Sequence, residues 1–410
     1  MRILQFVIVF FLSLLLSPCA TAQNFSNLAP TPPMGWNSWN KFECKIDEQT
    51  IREMADAMVS SGMKDAGYEY VNIDDCWQGD RDSLGFITSD KVKFPSGMKA
   101  LADYVHSKGL KFGVYSCAGD KTCAGRAGSR GYEYQDALMY AKWGVDFLKL
   151  DWCNTLNLNA QGAYQTMSEA IKQSGRTIVL SMCEWGRSKP WTWGGDVAQL
   201  WRTTADISNC FDNRSKNDGS YTPPGVMQIL DMQDGLRQYA GPNHWNDPDM
   251  LEVGNGMPLN EQRAHFTMWC MLAAPLIAGN DLRNMTSETF NILGNKELIA
   301  VDQDTLGIQG FKYETKDSLE TWLKPLANGA WVYCVLNRSA QPKHVTIDWR
   351  SLHVTDTLSN RTLNTIGKNL YVFKDLWVKK NSGDTRKPLK SVISSHDVLC
   401  IKLYEKLISK

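Results

Sequence analysis

From about residue 34 to residue 300 the chain alternates two hydrophobic rhythms. Short, nearly continuous apolar runs read as strands buried on both faces of a parallel sheet. Longer segments with apolar residues three and four apart read as helices with one buried side. The first such helix is well punctuated. Asp47 stands at its start, Ile51, Met54, Ala55 and Met58 form one stripe, and Gly62 ends it. Ser96 is placed to cap the next helix, which carries Leu101, Ala102 and Val105 inward and stops at Gly109. The strands fall at Met34–Trp36, Tyr70–Asp74, Lys111–Tyr115, Val145–Leu150, Thr177–Met182, Gln199–Thr203, His244–Trp245 and Leu276–Ala278.

Eight strand–helix units over about 270 residues fit a closed (β/α)8 TIM barrel. A doubly wound open sheet would want a glycine-rich phosphate turn after an early strand. The segment Gly125–Gly131 is only loosely similar and follows no strand directly, so it reads as a loop. After about residue 305 the rhythm shortens to alternating segments at Glu320–Leu323, Ala330–Leu336, His344–Trp349, Asn369–Phe373 and Val398–Leu403. Asn328-Gly329 is a hairpin turn signal. These features predict a C-terminal antiparallel β-sandwich packed directly on the barrel. The expected division is residues 1–22 as an export signal, 23–305 as the barrel and 306–410 as the sandwich.

The leader changes the picture of where the chain works. Arg2 precedes an apolar stretch from Ile3 to Leu16, and Ala20-Thr21-Ala22 offers small residues for cleavage. The run is shorter than the roughly 20 residues a bilayer span needs, which favours a signal peptide over an anchor. The mature chain is therefore expected outside the cytoplasm, secreted or periplasmic, with no membrane segment after cleavage. Ten of the eleven cysteines remain after the leader, and export makes disulfides plausible among them. Sequons stand at Asn24, Asn213, Asn284, Asn337 and Asn360. The 44 basic and 44 acidic residues balance, so no net field argues for nucleic acid as a partner. Six scattered histidines give no paired metal spacing, and no G-x-S-x-G elbow is present.

Barrel enzymes gather their chemistry where the strands end. Here those positions hold Trp36, Asp74-Asp75, Tyr115, Lys149 and Asp151, Glu184-Trp185, Arg202 and Asp206, and Asp247 with Asp249. A lone aspartate after a strand is more often a helix cap than a catalyst. Acidic groups at most of the strand ends, mixed with two cations and several tryptophans, are harder to assign to capping. Glycoside hydrolysis needs that mix: one carboxylate to attack or activate water, one to protonate the leaving oxygen, and aromatic rings for sugar faces. A buried carboxylate beside Lys149 is expected to stay ionised, and one set among other carboxylates to hold its proton. Spacing alone leaves open which aspartate does which. Glu43, Asp80 and Asp82 read as solvated surface charge.

The segments Pro33-Met-Gly-Trp-Asn-Ser-Trp39, Asn72-Ile-Asp-Asp-Cys-Trp77, Phe147-Leu-Lys-Leu-Asp-Trp-Cys153, Cys183-Glu-Trp185, Trp201-Arg-Thr-Thr-Ala-Asp206 and His244-Trp-Asn-Asp-Pro-Asp-Met-Leu251 resemble those of the α-galactosidases, glycoside hydrolase family 27. The resemblance covers nearly the whole mature chain. It implies retaining hydrolysis of terminal α-D-galactosides, with Asp151 as nucleophile and Asp206 as acid/base. Trp36, Asp74, Asp75, Tyr115, Lys149, Glu184, Trp185, Arg202 and Asp249 match sugar-pocket positions. It also implies disulfides Cys44–Cys76 and Cys123–Cys153, and neither cofactor nor metal. Asp74 and Lys149 resemble the pair on the axial 4-hydroxyl, and Asp75 the contact to the 6-hydroxyl. Glu184 and Trp185 are expected to crowd a 2-acetamido group. Trp152 and Leu150 depart from the residues many relatives carry there. Rival readings are a β-L-arabinopyranosidase, an α-N-acetylgalactosaminidase, or a sugar-binding protein on an inactive barrel. Cys183–Cys210 is an open pairing, and Cys270, Cys334 and Cys400 are expected as buried thiols. The expected partner is an α-galactoside carbohydrate, and a homo-oligomer is compatible with these residues.

Overall fold

A computed structural model describes residues 27–212, 222–366 and 370–405. The expected leader, the sequons at Asn24 and Asn213 and the last five residues lie outside them. Eight parallel strands form one sheet: β1 Met34–Asn37, β2 Tyr70–Asn72, β3 Lys111–Cys117, β4 Phe147–Asp151, β5 Val179–Cys183, β6 Leu200–Arg202, β7 Trp245–Asp247 and β8 Leu276–Ala278. The sheet order is β8-β1-β2-β3-β4-β5-β6-β7. Just beyond β7, Leu251 makes a parallel bridge to Ala278 in β8, which closes the ring. Each expected strand is present, with ends shifted by up to about three residues.

Local chemistry explains the helices around the sheet. In the helix Glu48–Ser60 the Asp47 side chain accepts from the Thr50 N–H at 2.7 Å, and Ile51, Met54, Ala55 and Met58 are buried. The helix Gly97–Ser107 differs from expectation. Ser96 makes no side-chain cap, and its backbone N–H donates instead to Glu48 Oε2 at 2.9 Å. A nearby carboxylate outcompetes the helix end for this residue.

The C-terminal region is antiparallel. Its strands are β9 Phe311–Lys316, β10 Leu319–Pro325, β11 Trp331–Asn337, β12 Lys343–Ile347, β13 His353–Asp356, β14 Arg361–Asn364, β15 Tyr371–Asp375, β16 Lys380–Asp384, β17 Leu389–Ile393 and β18 Val398–Glu405. Six of them form one sheet in the order β9-β10-β11-β18-β15-β16, while β12 pairs with β17 and β13 with β14. A core of Trp331, Trp349, Phe373, Ile401 and Leu403 fills the space between them. The sandwich rests on the barrel helix Leu259–Leu272. Lys324 Nζ donates to Cys270 O at 2.8 Å, and Trp377 Nε1 to Thr267 Oγ1 at 3.1 Å.

Two disulfides, Cys44–Cys76 and Cys123–Cys153, are formed. Cys183 and Cys210 are not joined, and Cys270, Cys334 and Cys400 are buried thiols. The sequon at Asn337 is closed to modification, because the residue is buried and its amide donates to Gln341 O, Ile393 O and Ser394 O.

Removing the Asp47 cap leaves a helix N–H without its acceptor. Asp47→Ala is expected to cost about 1 kcal/mol in urea unfolding and Asp47→Asn almost nothing.

Candidate functional site

The strands deliver their last side chains to one end of the barrel, where a cavity of about 420 Å³ opens. Asp74, Asp75, Tyr115, Lys149, Asp151, Arg202, Asp206 and Asp249 line it, together with Trp39, Asn40, Lys41, Glu43, Ile207, Asn209, Met250, Glu252, Cys123 and Asn255. Eight of the eleven expected sugar-site residues thus meet in one place. Trp36, Glu184 and Trp185 do not line it.

The floor is built on Asp74, which follows β2. Its Oδ2 accepts from Lys149 Nζ and from Asn37 Nδ2, both at 2.9 Å, and its Oδ1 accepts from the Asp75 N–H. Lys149 comes from the middle of β4, and its ammonium also lies 5.3 Å from the centre of the Tyr115 ring. Burial works against the charge on Lys149, but Asp74 and the other nearby acids outweigh it and hold its pKa well above the ordinary value. Asp75 is fixed by two backbone donors, Cys76 N at 2.7 Å and Ala124 N at 2.8 Å.

Asp151 is the last residue of β4 and is 6% exposed. Cys117 on β3 and Cys183 on β5 pair with it in register. The Trp152 N–H donates to its Oδ1 at 2.8 Å. The sulfurs of Cys123 and Cys153 lie within 4.8 Å of its carboxylate. That disulfide ties the chain two residues past Asp151 to the loop whose Ala124 holds Asp75.

Across the cavity Arg202, at the end of β6, is almost wholly buried. Its Nη2 meets Asp249 Oδ2 at 2.8 Å, Asp206 Oδ1 at 3.0 Å and the Thr204 carbonyl at 3.1 Å. Asp249 sits at a φ of 88°, a left-handed conformation unusual for a residue with a side chain. Its carboxylate takes the N–H groups of Ile207 and Met250, both at 2.7 Å, so the strained turn is tied at both oxygens. The Asp206 side chain is 64% exposed and reaches into the opening.

The electrostatics reverse the order expected from sequence. Burial pushes Asp151 up to about 6, because Lys149 lowers it only in part while its ammonium is bonded to Asp74. Partial desolvation by the cavity walls works against the charge on Asp206, but the Arg202 and Lys149 cations outweigh it and hold its carboxyl below the usual range. Burial raises Asp249 to about 7 despite Arg202. Asp151 therefore holds a proton more readily than Asp206.

The three absent residues have physical reasons. Trp36 is fully buried, with its indole N–H on the Asn280 carbonyl at 2.7 Å. Glu184 turns its Oε2 to the Ser188 N–H at 2.7 Å. Trp185 carries the Arg187 guanidinium 4.5 Å from its ring centre. Glu43 is exposed as expected, yet it rims the cavity. Asn209 and Asn255 were not foreseen, since both lie on loops several residues beyond a strand end and belong to none of the strand-end motifs.

Comparison with known proteins agrees with this geometry. A family model described as "Alpha galactosidase A" matches residues 31–304, and one described as "Alpha galactosidase C-terminal beta sandwich domain" matches residues 316–403. An α-galactosidase A of Cellvibrio japonicus is 53% identical over 391 residues, covering 95% of this chain and 96% of its own. The crystal structure of α-galactosidase I from Mortierella vinacea superposes with a TM-score of 0.85 at 36% identity, over 93% of this chain and 99% of its own. A Saccharomyces cerevisiae α-galactosidase solved with raffinose gives a TM-score of 0.86 at 28% identity, covering 93% and 99%.

Asp206 contributes a negative neighbour that raises Asp151. A carbon-13 carboxyl titration is expected to place Asp151 near 6, and Asp206→Asn is expected to move that midpoint down.

Proposed function

Since the chain belongs to the α-galactosidase family and is a glycoside hydrolase of that activity, we propose a division of labour within its cavity. It hydrolyses terminal, non-reducing α-D-galactosyl groups. Asp151 attacks the anomeric carbon and forms a galactosyl ester, while Asp206 protonates the departing oxygen. Asp206 then takes a proton from water as that water attacks the ester, so two inversions preserve configuration. The supporting observation is that both carboxylates line one cavity, Asp151 at its buried wall and Asp206 at its mouth. A nucleophile belongs deep, against the sugar ring. An acid/base that serves a leaving group and then water belongs at the opening.

The sugar preference rests on the floor. The Asp74–Lys149 pair presents an acceptor and a donor together, which suits an axial 4-hydroxyl. Asp75, held by Cys76 and Ala124, would serve as the acceptor for the 6-hydroxyl, an arm that β-L-arabinopyranosides lack; its fixed carboxylate in the cavity wall supports this. Release outside the cytoplasm, secreted or periplasmic, is supported by the leader and by the two disulfides. Among the described residues no helix is long and apolar enough to cross a membrane.

Asp151→Asn and Asp206→Asn are each expected to lower kcat on an α-galactoside by about a thousandfold or more, since each removes a proton-transfer or bond-forming group. Proton NMR of the wild-type reaction is expected to show α-galactose first, with the β anomer appearing only by mutarotation. Initial β-galactose means inversion and rejects the ester.

Catalysis needs Asp151 ionised and Asp206 protonated, the minority arrangement of a pair that holds one proton. Its share of the singly protonated state does not vary with pH. Below the lower of the two macroscopic pKa values Asp151 is also protonated and cannot attack. Above the higher one, about 6, the pair has lost the proton that Asp206 must donate. A plot of kcat/KM against pH is therefore expected to be bell-shaped, with an acidic optimum and an alkaline limb near 6.

A further inference from the structure

A second cavity, of about 550 Å³, adjoins the first. The two share Asn209 and Asn255 in their walls. Asn209 Nδ2 donates to the Asn255 carbonyl, and Asn255 Nδ2 donates to Glu252 Oε2 at 2.6 Å, so the shared wall is cross-braced. Beyond it the lining continues through Cys210, Phe211, Gly256, Met257, Pro258 and His396. His396 belongs to the sandwich, just before β18, and all the others named belong to the barrel.

The joint at His396 is built. Its ring stacks on Phe211 with centres 4.3 Å apart and planes within 15°. Its Nδ1 lies 2.7 Å from Glu261 Oε1, at the start of the helix Leu259–Leu272. Among the described residues its Nε2 makes no hydrogen bond. The backbone there is left-handed, with a φ of 54°, and Asn260 Nδ2 bonds the neighbouring Ser395 carbonyl. The cavity thus combines an apolar floor, Phe211 and Met257, with polar walls of amide, imidazole and carboxylate. That combination suits a pyranose, which has apolar faces and a hydroxyl rim.

We propose that this second cavity receives sugar units on the far side of the scissile bond, so that the sandwich takes part in reading the aglycone. The substrate class is an α-galactosyl group carried on an oligosaccharide of at least two further sugars. The first cavity takes the galactose, Asn209 and Asn255 border the next unit, and the groove toward His396 takes those beyond. This rests on the α-galactosidase reading of the first cavity and adds which aglycones it prefers.

The test compares kcat/KM on p-nitrophenyl α-galactoside, octyl α-galactoside, an α-galactosyl disaccharide and an α-galactosyl tetrasaccharide. Wild type is expected to favour the tetrasaccharide over the disaccharide and the octyl compound by about tenfold, a gain of one or two hydrogen bonds. His396→Ala, and Pro258→Trp, which fills the exposed side of the groove, are expected to abolish that preference. Both are expected to keep the p-nitrophenyl rate, which also reports that the variants fold. Equal rates on the disaccharide and tetrasaccharide, a preference for the octyl aglycone, or an unchanged preference in both variants overturns the proposal. Loss of all activity in wild type instead defeats the reading on which it rests.

Discussion

Two cations, Lys149 and Arg202, decide what a rim of acids can do. Asp74, Asp75, Asp151, Asp206 and Asp249 face one cavity, and taking so many carboxylates out of water is costly unless each finds a partner. Lys149 is bonded to Asp74, and Arg202 is shared by Asp249 and Asp206. Asp75 relies on backbone N–H donors. Asp151 is left with one backbone donor and no direct cation, and burial raises it to about 6. The proposed nucleophile is thus the cavity carboxylate with one backbone donor and no bonded cation.

The scaffold holds that imbalance in place. The parallel register puts Asp151 between Cys117 and Cys183, residues too weakly polar to stabilise its charge. The Cys123–Cys153 disulfide fixes the chain just beyond it, and the same loop fixes Asp75. On the other side the left-handed turn at Asp249 brings its carboxylate back onto Arg202. The strain of that turn is offset by two backbone donors and a buried guanidinium. The proposed nucleophile and acid/base thus follow different strands and are held by different ties.

Much of this was legible because barrel strands are buried on both faces and read as unbroken apolar runs, so all eight could be located. The residues at their ends followed, and eight of the site positions with them. In the sandwich, β9, β13, β14, β16 and β17 escaped notice. β9 and β16 are the edges of the six-stranded sheet, mostly exposed, and Lys380–Asp384 reads Lys-Asn-Ser-Gly-Asp, with no apolar residue to mark it. β13, β14 and β17 belong to the two-stranded pairs and carry only one or two buried residues each. Trp36 stands at a strand end but is fully buried with its indole N–H on the Asn280 carbonyl, and Glu184 accepts from the Ser188 N–H with one oxygen while the other has no protein partner among the described residues. The protonation order was not legible either, because it depends on which acid Lys149 bonds, a matter of side-chain geometry.

A covalent galactose on Asp151, the proposed intermediate, can be trapped. Incubation with a fluorinated α-galactosyl fluoride slows the second step and is expected to add one fluorosugar to the protein. Peptide mass spectrometry is expected to place it on Asp151, with no label in Asp151→Asn. A label on Asp206 or Asp249, or turnover without any trapped ester, contradicts the account.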